Sequence, residues 1–397
     1  MTAIKQPTLF ADARSTIQDS INQTIESLLS HAVTHPHWVI AWSGGKDSTA
    51  LLAVVLYLVE SGKVPKPERL TVCYADTRME LPPLAISARK ILQALQRRGI
   101  ETQVVMAPID KRFYVYILGR GVPPPNNNTL RWCTRQIKVE PMQKRISELV
   151  AESNDVLMLT GVRQGESAIR DGRIQMSCGV NGAECGQGWY QQMSGDGFAT
   201  LAPLLHWRVC HVWEWLRILA PSKRYGGLDT RMVADAYGGE EAEEVNARTG
   251  CNGCPLASRD TALDSVLALP QWSHLSPLKE LRPLYRELRE PQNRLRKPAG
   301  EKRKDGTLVG NQNRMGPLTL NARRYALAKV IDIQERINFG AEKLGRDRVD
   351  FLNTHEISRI EELIEANTWP NRWTGEEPLA SEPFGDALEL FNHFSGE

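Results

Sequence analysis

The chain has 397 residues, of which 41% are hydrophobic and 24% are charged. Such a composition supports a folded core and excludes global disorder. Because 49 basic and 47 acidic residues give a net charge of only +2, the chain is not a polycation, and any nucleic-acid surface requires an uneven placement of charge.

The first half of the chain predicts strands that alternate with helices. A helix is expected within residues 8–34, where isoleucines and leucines recur near helical spacing. An apolar strand at 38–42 precedes the hexamer S-G-G-K-D-S and an apolar helix at 49–60. The pattern then repeats, with strands at 69–75, 102–106 and 156–162 and a helix at 82–98. The predicted fold class is α/β, a parallel twisted sheet with helices on both faces.

The second half is less regular. Residues 171–200 contain seven glycines and few aliphatic residues, which suggests an excursion that is held by something other than a core. Residues 279–329 carry 14 Lys and Arg against 5 Asp and Glu, and 297–310 is expected to be a basic loop. Further predicted segments are a turn-rich loop at 119–129, a helix at 204–219 and amphipathic helices at 317–338 and 356–366.

The location of the protein is inferred from the segments that the sequence lacks. No apolar run approaches the roughly 20 residues of a membrane-spanning helix. The first residues do not combine a basic start with an apolar stretch, as a secretory signal does. We therefore expect a cytoplasmic protein with no membrane partner, in which the seven cysteines are thiols, metal ligands or catalytic groups rather than disulfides.

The hexamer between the first strand and its helix is typical of an anion site. Its glycines let the backbone approach an anion, consecutive N–H groups and the helix N-terminus favour negative charge, and Lys46 adds a cation. A glycine turn with a helix cap is the alternative interpretation. The spacing of a Walker loop is absent. The expected phosphate-binding residues are Ser43, Gly44, Gly45, Lys46, Asp47 and Ser48.

This loop resembles the pyrophosphate loop of the ATP-pyrophosphatase superfamily, the adenine nucleotide alpha hydrolases. That superfamily includes the PAPS reductases and other sulfonucleotide reductases, transfer-RNA thiolases and the DndC-type DNA phosphorothioation proteins. The resemblance implies that ATP lies over the sheet and is split between its α and β phosphates with the help of Mg²⁺. It further implies catalytic roles for Lys46, Asp47 and Arg163.

Two further segments resemble motifs of the same superfamily. Asp76 and Thr77 begin an ADTRMELP segment similar to D-T-x-x-E-x-P at the nucleotide edge, although a capped helix start also explains it. The second segment resembles G-x-R-x-x-E-S-x-x-R and follows a predicted strand, where ligands bind in parallel sheets. The alternative for that segment is a surface helix with a salt bridge. Its four candidate ATP-binding residues are Gly161, Arg163, Glu166 and Arg170.

The cysteines divide into candidate ligands and candidate core residues. Cys251 and Cys254 form a C-x-x-C, and Cys133 lies in an R-x-C-T segment beside basic residues. One C-x-x-C alone is compatible with a redox pair or with half of a zinc site. Dispersed thiolates suit an iron–sulfur cluster or a structural zinc. Cys73 and Cys210 have apolar neighbours, and we expect both to pack as core thiols.

DndC-type proteins carry a four-iron cluster, and their R-x-C-T and C-x-x-C motifs both occur here. The resemblance therefore implies a 4Fe-4S cluster, with zinc as the less favoured occupant, on Cys133, Cys251 and Cys254. The fourth ligand departs from the family's G-G-E-C segment, because this chain has G-G-E-E at 238–241. Cys185 is our choice, Cys178 is the alternative, and a site with three ligands and an open iron is the third option.

The C-terminal third favours the DNA-modification branch. A G-P-L-T segment at 316–319, a glutamine at 334 and I-x-x-x-E-E-L at 357–363 resemble the tail of DndC-type proteins and of their SspD-type counterparts. Sulfonucleotide reductases carry a catalytic cysteine in a C-terminal tail, and no cysteine follows Cys254 here. The residues considered for contact with DNA are Lys297, Lys302, Arg303 and Lys304 for phosphates and Trp132, Trp189 and Trp207 for bases.

The resulting functional hypothesis is an ATP pyrophosphatase that activates a DNA backbone phosphate for sulfur incorporation. The resemblance implies DNA, a cysteine desulfurase as sulfur donor and other phosphorothioation-system proteins as partners. A transfer-RNA thiolase and a non-catalytic ATP-binding subunit are the alternatives. The expected organisation is an N-terminal helix at 1–34, a nucleotide-binding domain with the cysteine cluster at 35–275 and a basic, mostly helical region at 276–397.

Overall fold

The computed structural model describes residues 16–126, 131–153, 155–165, 168–177, 188–193, 197–239, 250–298, 302, 306–308, 310–311 and 313–383. They form two compact units. The first unit takes the described residues of Met1–Ala75, Pro83–Val104 and Arg145–Asn246, and the second takes those of Asp76–Pro82, Val105–Lys144 and Ala247–Glu397. Both units are therefore built from segments that interleave along the chain.

The helices and strands follow one another in an α/β order and then become mostly helical. In the first half they are α1 (Ile17–His31), β1 (His37–Trp42), α2 (Lys46–Glu60), β2 (Arg69–Ala75), α3 (Pro82–Arg97), β3 (Glu101–Val105), α4 (Glu140–Glu152), β4 (Val156–Leu159) and α5 (Ala168–Ser177). In the second half they are β5 (Trp189–Met193), β6 (Phe198–Ala202), α6 (Val209–Glu214), α7 (Met232–Asp235), α8 (Thr261–Leu267), α9 (Leu281–Glu287), β7 (Arg294–Arg296), β8 (Met315–Leu318), α10 (Leu320–Lys343) and α11 (Thr354–Glu365).

A six-stranded sheet in the order β3-β2-β1-β4-β6-β5 organises the first half of the chain. β1 is parallel to both β2 and β4, and β4 is parallel to β6. β5 runs antiparallel to β6. The mostly parallel sheet with helices confirms the predicted fold class. Because β1 and β4 are adjacent and parallel, the segments after Trp42 and after Leu159 leave the sheet at the same edge.

The helix at the start of the described chain confirms the expected amphipathic segment. It begins at Ile17, where Thr16 and Asp19 form a capping box. The Asp19 carboxylate accepts hydrogen bonds from Thr16 N and Oγ1 at 2.7 and 2.8 Å. Such caps satisfy N–H groups that have no intrahelical partner. The pKa of Asp19 is lowered by these two hydrogen bonds.

α2 begins three residues earlier than the apolar pattern indicates, at Lys46. Gly45 is its N-cap, with an extended backbone at φ −76° and ψ 166°. The helix is buried on nearly all sides, and Leu51, Leu52 and Val54 have no exposed surface. Full burial of each such side chain contributes about 1.5–3 kcal/mol. The core thus holds α2 and fixes the position of its first turn.

Two strands, β5 and β6, begin where the sequence suggested an excursion held without a core, and that interpretation is wrong for residues 198–200. Ala199 and Leu201 of β6 are fully buried, and β6 pairs with β4 over Val156–Leu159. The run FATLA is apolar but short, and its burial arises from pairing with strands on both sides.

The helix expected at 204–219 starts only at Val209 and continues through Glu214 into a π-helical turn at Trp215–Leu219. Trp207 lies in the turns before it, and its Nε1 donates to Thr24 Oγ1 at 2.9 Å. That side chain is buried in the core and is not placed to stack on a base. Cys210 is exposed, so the expectation of a core thiol is wrong there, whereas Cys73 is buried as expected.

The second unit is mostly helical, as expected for the C-terminal region. α10 buries residues at helical spacing, namely Ala326, Val330, Ile333 and Ile337. α11 packs against the π-helical turn at Val115–Gly119. Both helices start within two to three residues of the predicted positions, because Thr319 and Asn353 cap them through their side chains.

Residues of the C-terminal motif hold this unit together. Arg323 is fully buried, and its guanidinium donates to the carbonyls of Leu118 at 2.8 Å, of Gly119 and of Thr368 at 2.9 Å. Gln334 both donates to Leu352 O and accepts from Leu352 N. These residues, which lie in the segment that resembles the tail of DndC-type proteins, therefore have packing roles in this structure.

None of the described helices combines the length and the hydropathy that crossing a bilayer requires.

Candidate functional site

The loop Ser43–Ser48 joins β1 to α2 in the first unit. Gly44 adopts φ +76°, a left-handed conformation that side chains with Cβ rarely adopt. Ser48 Oγ accepts from Ser43 N at 3.2 Å and donates to Gly45 O at 3.1 Å. Ser43 Oγ lies 3.1 Å from Ser48 Oγ. These bonds hold the loop around the first turn of α2, where the helix dipole favours an anion.

A half-buried carboxylate at this loop is shared by two cations. Asp47 Oδ2 accepts from Lys46 Nζ at 2.9 Å, and Asp47 Oδ1 accepts from Arg163 Nε at 2.5 Å. Arg163 is 5% exposed, and its Nη1 donates to Trp207 O at 2.9 Å. The three formal charges sum to +1, and a buried guanidinium paired in this way is held rigidly. The arrangement leaves a net positive charge beside the anion-binding turn.

Gly161 brings the segment after β4 into contact with this loop. A Cβ added at Gly161 would lie 2.8 Å from the carbonyl carbon and oxygen of Asp47 and from Ser48 Cα. All three atoms are backbone, so the neighbouring chain cannot move aside by a side-chain rotation. The absence of a side chain at Gly161 therefore permits the approach that places Arg163 beside Asp47.

Tyr237 is a functional candidate that the sequence reasoning missed. Its hydroxyl accepts from Lys46 N at 3.1 Å, and Lys46 Nζ lies 5.4 Å from the centre of its ring. A cation over an aromatic face is stabilised by the ring quadrupole. Tyr237 lies 191 residues from Lys46 along the chain, and no local pattern marks it.

The ADTRMELP segment belongs to the second unit from Asp76 onward. Thr77 Oγ1 donates to Glu80 Oε1 at 2.6 Å, and Asp76 Oδ1 accepts from Arg78 N at 2.8 Å. Arg78 adopts φ 63°. The alternative interpretation, a helix start capped by Asp76 or Thr77, is wrong, because α3 begins only at Pro82 and these bonds form a turn before it. Burial raises the pKa of Glu80 and the Asp76 charge raises it further, against the opposing hydrogen bond from Thr77.

The same segment is bonded to the C-x-x-C segment. Asn252 N donates to Met79 O at 2.7 Å, and Asn252 Nδ2 donates to Glu80 O at 2.7 Å. Glu80 and Cys251 form an isolated antiparallel bridge. The second unit thus joins a segment that resembles a nucleotide motif to two of the predicted metal ligands.

The three described candidate ligands lie in one electrostatic neighbourhood. Burial is the largest cause of a raised pKa at both Cys133 and Cys251, and the Cys254 charge raises both further. The pKa of Cys251 reaches about 12, with Glu80 and Cys133 also raising it. A thiol of this kind is protonated at neutral pH and is not an activated nucleophile. A bound cation favours its thiolate.

The three cysteines are therefore chemically suited to bind a metal as thiolates. The positions of the described residues, however, do not form a complete metal site. Among the described residues, no group of three or more His, Cys, Asp and Glu is arranged to hold a metal ion. Cys185 and Cys178, the candidates for a fourth ligand, lie outside the described residues.

For two other predicted ATP-binding residues, the structure does not describe the side chains. Glu166 is not described, and for Arg170 only the backbone in α5 is. The structure places the described candidates Ser43–Ser48, Gly161 and Arg163 in the first unit. It places Asp76, Thr77 and the three cysteines in the second unit.

Three of the described candidate nucleic-acid contacts, Lys297, Trp132 and Trp189, are engaged within the protein, whereas Lys302 is exposed. Lys297 Nζ donates to Glu377 Oε1 at 2.5 Å and lies 4.5 Å from the centre of the Trp373 ring. Trp132 Nε1 donates to Pro123 O, and Trp189 Nε1 donates to Ser177 Oγ. Arg303 and Lys304 lie outside the described residues. Lys297 is therefore an internal ion-pair partner rather than a free phosphate contact.

The part of the chain that contains the sheet is similar to a known protein domain. Residues 37–220 match the family model described as "Phosphoadenosine phosphosulfate reductase domain". The uncharacterized protein MJ0066 of Methanocaldococcus jannaschii is 27% identical over 180 residues, which are 45% of this chain and 31% of that protein. The match thus spans less than a third of that relative's length. Residues 37–220 are thus similar to a PAPS reductase domain.

Solved structures with partial likeness include enzymes of both reduction and thiolation. The PAPS reductase of Candida auris, in a phosphate complex, is 15% identical with a TM-score of 0.33, over 53% of this chain and 88% of that one. The U34-tRNA thiolase NcsA of Methanococcus maripaludis, with its [4Fe-4S] cluster, is 13% identical with a TM-score of 0.33, over 68% and 79%. Likeness at this level carries no argument about substrate or cofactor.

Proposed function

We propose that this protein is an ATP pyrophosphatase that activates a DNA backbone phosphate for sulfur incorporation. The observation that carries the proposal is the sharing of the Asp47 carboxylate by Lys46 and Arg163 at the first turn of α2. A net positive charge, a helix N-terminus and a glycine loop together form a site for the phosphates of a nucleotide. The match of residues 37–220 to a domain of sulfonucleotide chemistry supports the same reading.

The proposed reaction has two displacement steps. A non-bridging oxygen of the DNA phosphate attacks the α phosphorus of ATP, the bond from that phosphorus to the bridging oxygen breaks, and pyrophosphate leaves. A cysteine-desulfurase partner supplies the sulfur as a persulfide, and a thiol reductant gives the two electrons that release it at the sulfide level. This sulfur then attacks the DNA phosphorus. The P–S bond forms as the P–O bond to AMP breaks, so AMP carries away the former DNA oxygen. The DNA oxygen alone is a poor leaving group, and adenylylation makes it part of AMP, which is a good one.

The residues of the loop act on the charge that develops on pyrophosphate. The first-turn N–H groups and Lys46 donate to the departing phosphates, while Asp47 and Arg163 hold Lys46 and the loop in position. Preorganised donors of this kind typically contribute 10²–10³ in rate each. Mg²⁺, when bound, neutralises phosphate charge and assists the departure of pyrophosphate.

Cys133, Cys251 and Cys254 are the residues that would hold an iron–sulfur cluster. Their burial and mutual repulsion as thiolates support a bound cation at this place. A 4Fe-4S cluster is our proposal for the occupant, with zinc as the alternative. DNA, a cysteine desulfurase and other phosphorothioation-system proteins are the proposed partners, in the cytoplasm.

Pyrophosphate release from ATP tests the proposed chemistry. Lys46→Ala should lower the rate by at least about 100-fold, since it removes a charged donor from the loop. Lys63→Ala is the matched control, because Lys63 is an exposed lysine of the same unit, just beyond α2. Equal rates for Lys46→Ala and the control would remove Lys46 from the mechanism.

Following the sulfur label identifies the acceptor. With ATP, desulfurase, partners and labelled cysteine, sulfur should appear in DNA. Label in transfer RNA would assign the protein to the thiolases, and ATP binding with no pyrophosphate release would make it a non-catalytic subunit.

Metal content tests the cysteines separately from the acceptor. Protein purified without oxygen should contain about four iron and four sulfide per chain, which Cys251→Ser should remove. Cys210→Ser, at an exposed position, should leave the content unchanged. Zinc, or no metal under these conditions, would refute the cluster.

A further inference from the structure

A cavity lined by arginines lies directly after the C-x-x-C segment, in the second unit. Its volume is about 120 Å³, which is room for several water molecules or for one phosphate group. Pro255 and Ser258 form one wall, and Tyr285 lies in the other. None of the residues that line the cavity is an aspartate or a glutamate.

Three guanidinium groups reach this cavity from one stretch of chain. Arg282, Arg286 and Arg289 follow one another at i, i+4 and i+7 along α9 and the residues just after it. This is the spacing of one helix face. Arg282 is already used, because its Nη2 donates to the carbonyls of Ala257 at 2.5 Å and of Ser258 at 3.0 Å. It positions the wall of the cavity, so the other two arginines remain for a ligand.

Arg289 is only partly satisfied by the described protein. Its Nη2 donates to Pro125 O, but its buried Nε has no hydrogen-bond partner among the described residues. An unmade hydrogen bond at a buried charged group is costly. Burial lowers the pKa of Arg289, and the neighbouring charge of Arg286 lowers it further. An anion between them would satisfy the donor and relieve the repulsion.

We propose that this cavity binds a backbone phosphate of the DNA substrate through Arg286 and Arg289. The guanidinium fork matches the geometry of phosphate oxygens. Arg286 is exposed, so a polymer can reach it from solvent. The choice of DNA rests on the proposed function, whereas the phosphate chemistry rests on the cavity itself.

The position of the cavity explains why a substrate phosphate would be held there. Pro255 directly follows Cys254, and the buried Tyr285 hydroxyl lies 2.9 Å from that of Tyr114. Burial raises the pKa of Tyr285 above its ordinary value, and Tyr114 and then the charges at Cys251 and Cys254 raise it further. A phosphate in this cavity would therefore lie beside Pro255, the residue that follows Cys254.

Fluorescence anisotropy with a labelled single-stranded DNA oligonucleotide tests the proposal, without ATP and across a series of salt concentrations. Arg286→Gln should weaken binding about tenfold and lower the slope of log K against log salt by about one. Arg348→Gln is the matched control, since Arg348 is an exposed arginine of the same unit and the change in net charge is identical. Arg289→Lys keeps the charge but removes the fork, and should also weaken binding.

Each outcome decides the proposal independently of ATP chemistry. Equal affinity for Arg286→Gln and Arg348→Gln would overturn it, even if pyrophosphate release depends on Lys46. Binding of inorganic phosphate that is lost in Arg286→Gln, without oligonucleotide binding, would make the cavity a small-anion site and overturn the choice of DNA. An RNA oligonucleotide bound more tightly through Arg286 would overturn that choice in favour of RNA. Loss of DNA affinity confined to the cavity variants supports the proposal even if Lys46→Ala leaves pyrophosphate release intact.

Discussion

Replacing Gly161 with alanine tests the close approach on which the phosphate loop depends. The added Cβ would lie 2.8 Å from three backbone atoms of Asp47 and Ser48, against 3.4 Å for ordinary van der Waals contact. The two segments must therefore separate by about 0.6 Å. Overpacking of this kind typically costs about 1–3 kcal/mol. We expect a comparable loss in the free energy of unfolding.

The same displacement should damage nucleotide chemistry more than it damages the fold. Separation of the segment after β4 from the loop moves Arg163 away from Asp47, whose Oδ1 lies 2.5 Å from Arg163 Nε. Misplacement of a catalytic group by about 1 Å can cost about 100-fold in rate. Pyrophosphate release by Gly161→Ala should therefore fall about 10- to 100-fold at saturating ATP.

The assay pairs chemical denaturation with pyrophosphate release, and Gly172→Ala is the control. Gly172 lies in α5 with no atom within 4 Å of an added Cβ, so alanine should be neutral or should stabilise the helix by about 0.5–1 kcal/mol. If Gly161→Ala matches the wild type in both stability and rate, the contact with the loop is not required and the reasoning is wrong.

Three further outcomes test separate parts of the structure. Arg163→Met should lower the free energy of unfolding by about 1–3 kcal/mol, because it removes the hydrogen bonds that Arg163 donates to the half-buried Asp47 carboxylate and to Trp207 O; urea denaturation of Arg163→Met beside wild type measures this, and an unchanged midpoint contradicts it. Arg69 lowers the pKa of Glu101 to about 2 from its usual 4.5, so the stability from this pair is present above pH 4.5 and is lost as the pH falls toward 2. Glu101→Gln should therefore destabilise the protein at pH 7 more than at pH 3, and an equal effect at both pH values contradicts the pairing. Iodoacetamide should alkylate the exposed Cys210 before the other four described cysteines, as peptide mass mapping over time would record, and earlier labelling of the buried Cys73 would refute the exposure.

Local sequence patterns identified most of the sheet and the phosphate loop. Apolar runs that end at glycine or polar residues indicated β1, α2 and β2, which are buried on nearly all sides, and the amphipathic α3. The pattern did not mark β5 and β6, because these strands are short and lie among glycines and polar residues; β6 is buried through pairing with β4 and β5 on its two sides. It failed for Cys210 because apolar neighbours in sequence do not decide which face of a short helix points to solvent.

The sequence by itself determined which residue types can bind an anion or a metal, since hexamers, glycines and cysteine pairs are local features. Tertiary structure decided which of them meet. Arg163 reaches Asp47 across 116 residues, and Asn252 bonds to Glu80 across 172. Such contacts depend on strand order and on segments, distant along the chain, that come together within each unit. The free energy of these contacts comes from burial and from charges brought together at a distance along the chain, which no local window of sequence contains.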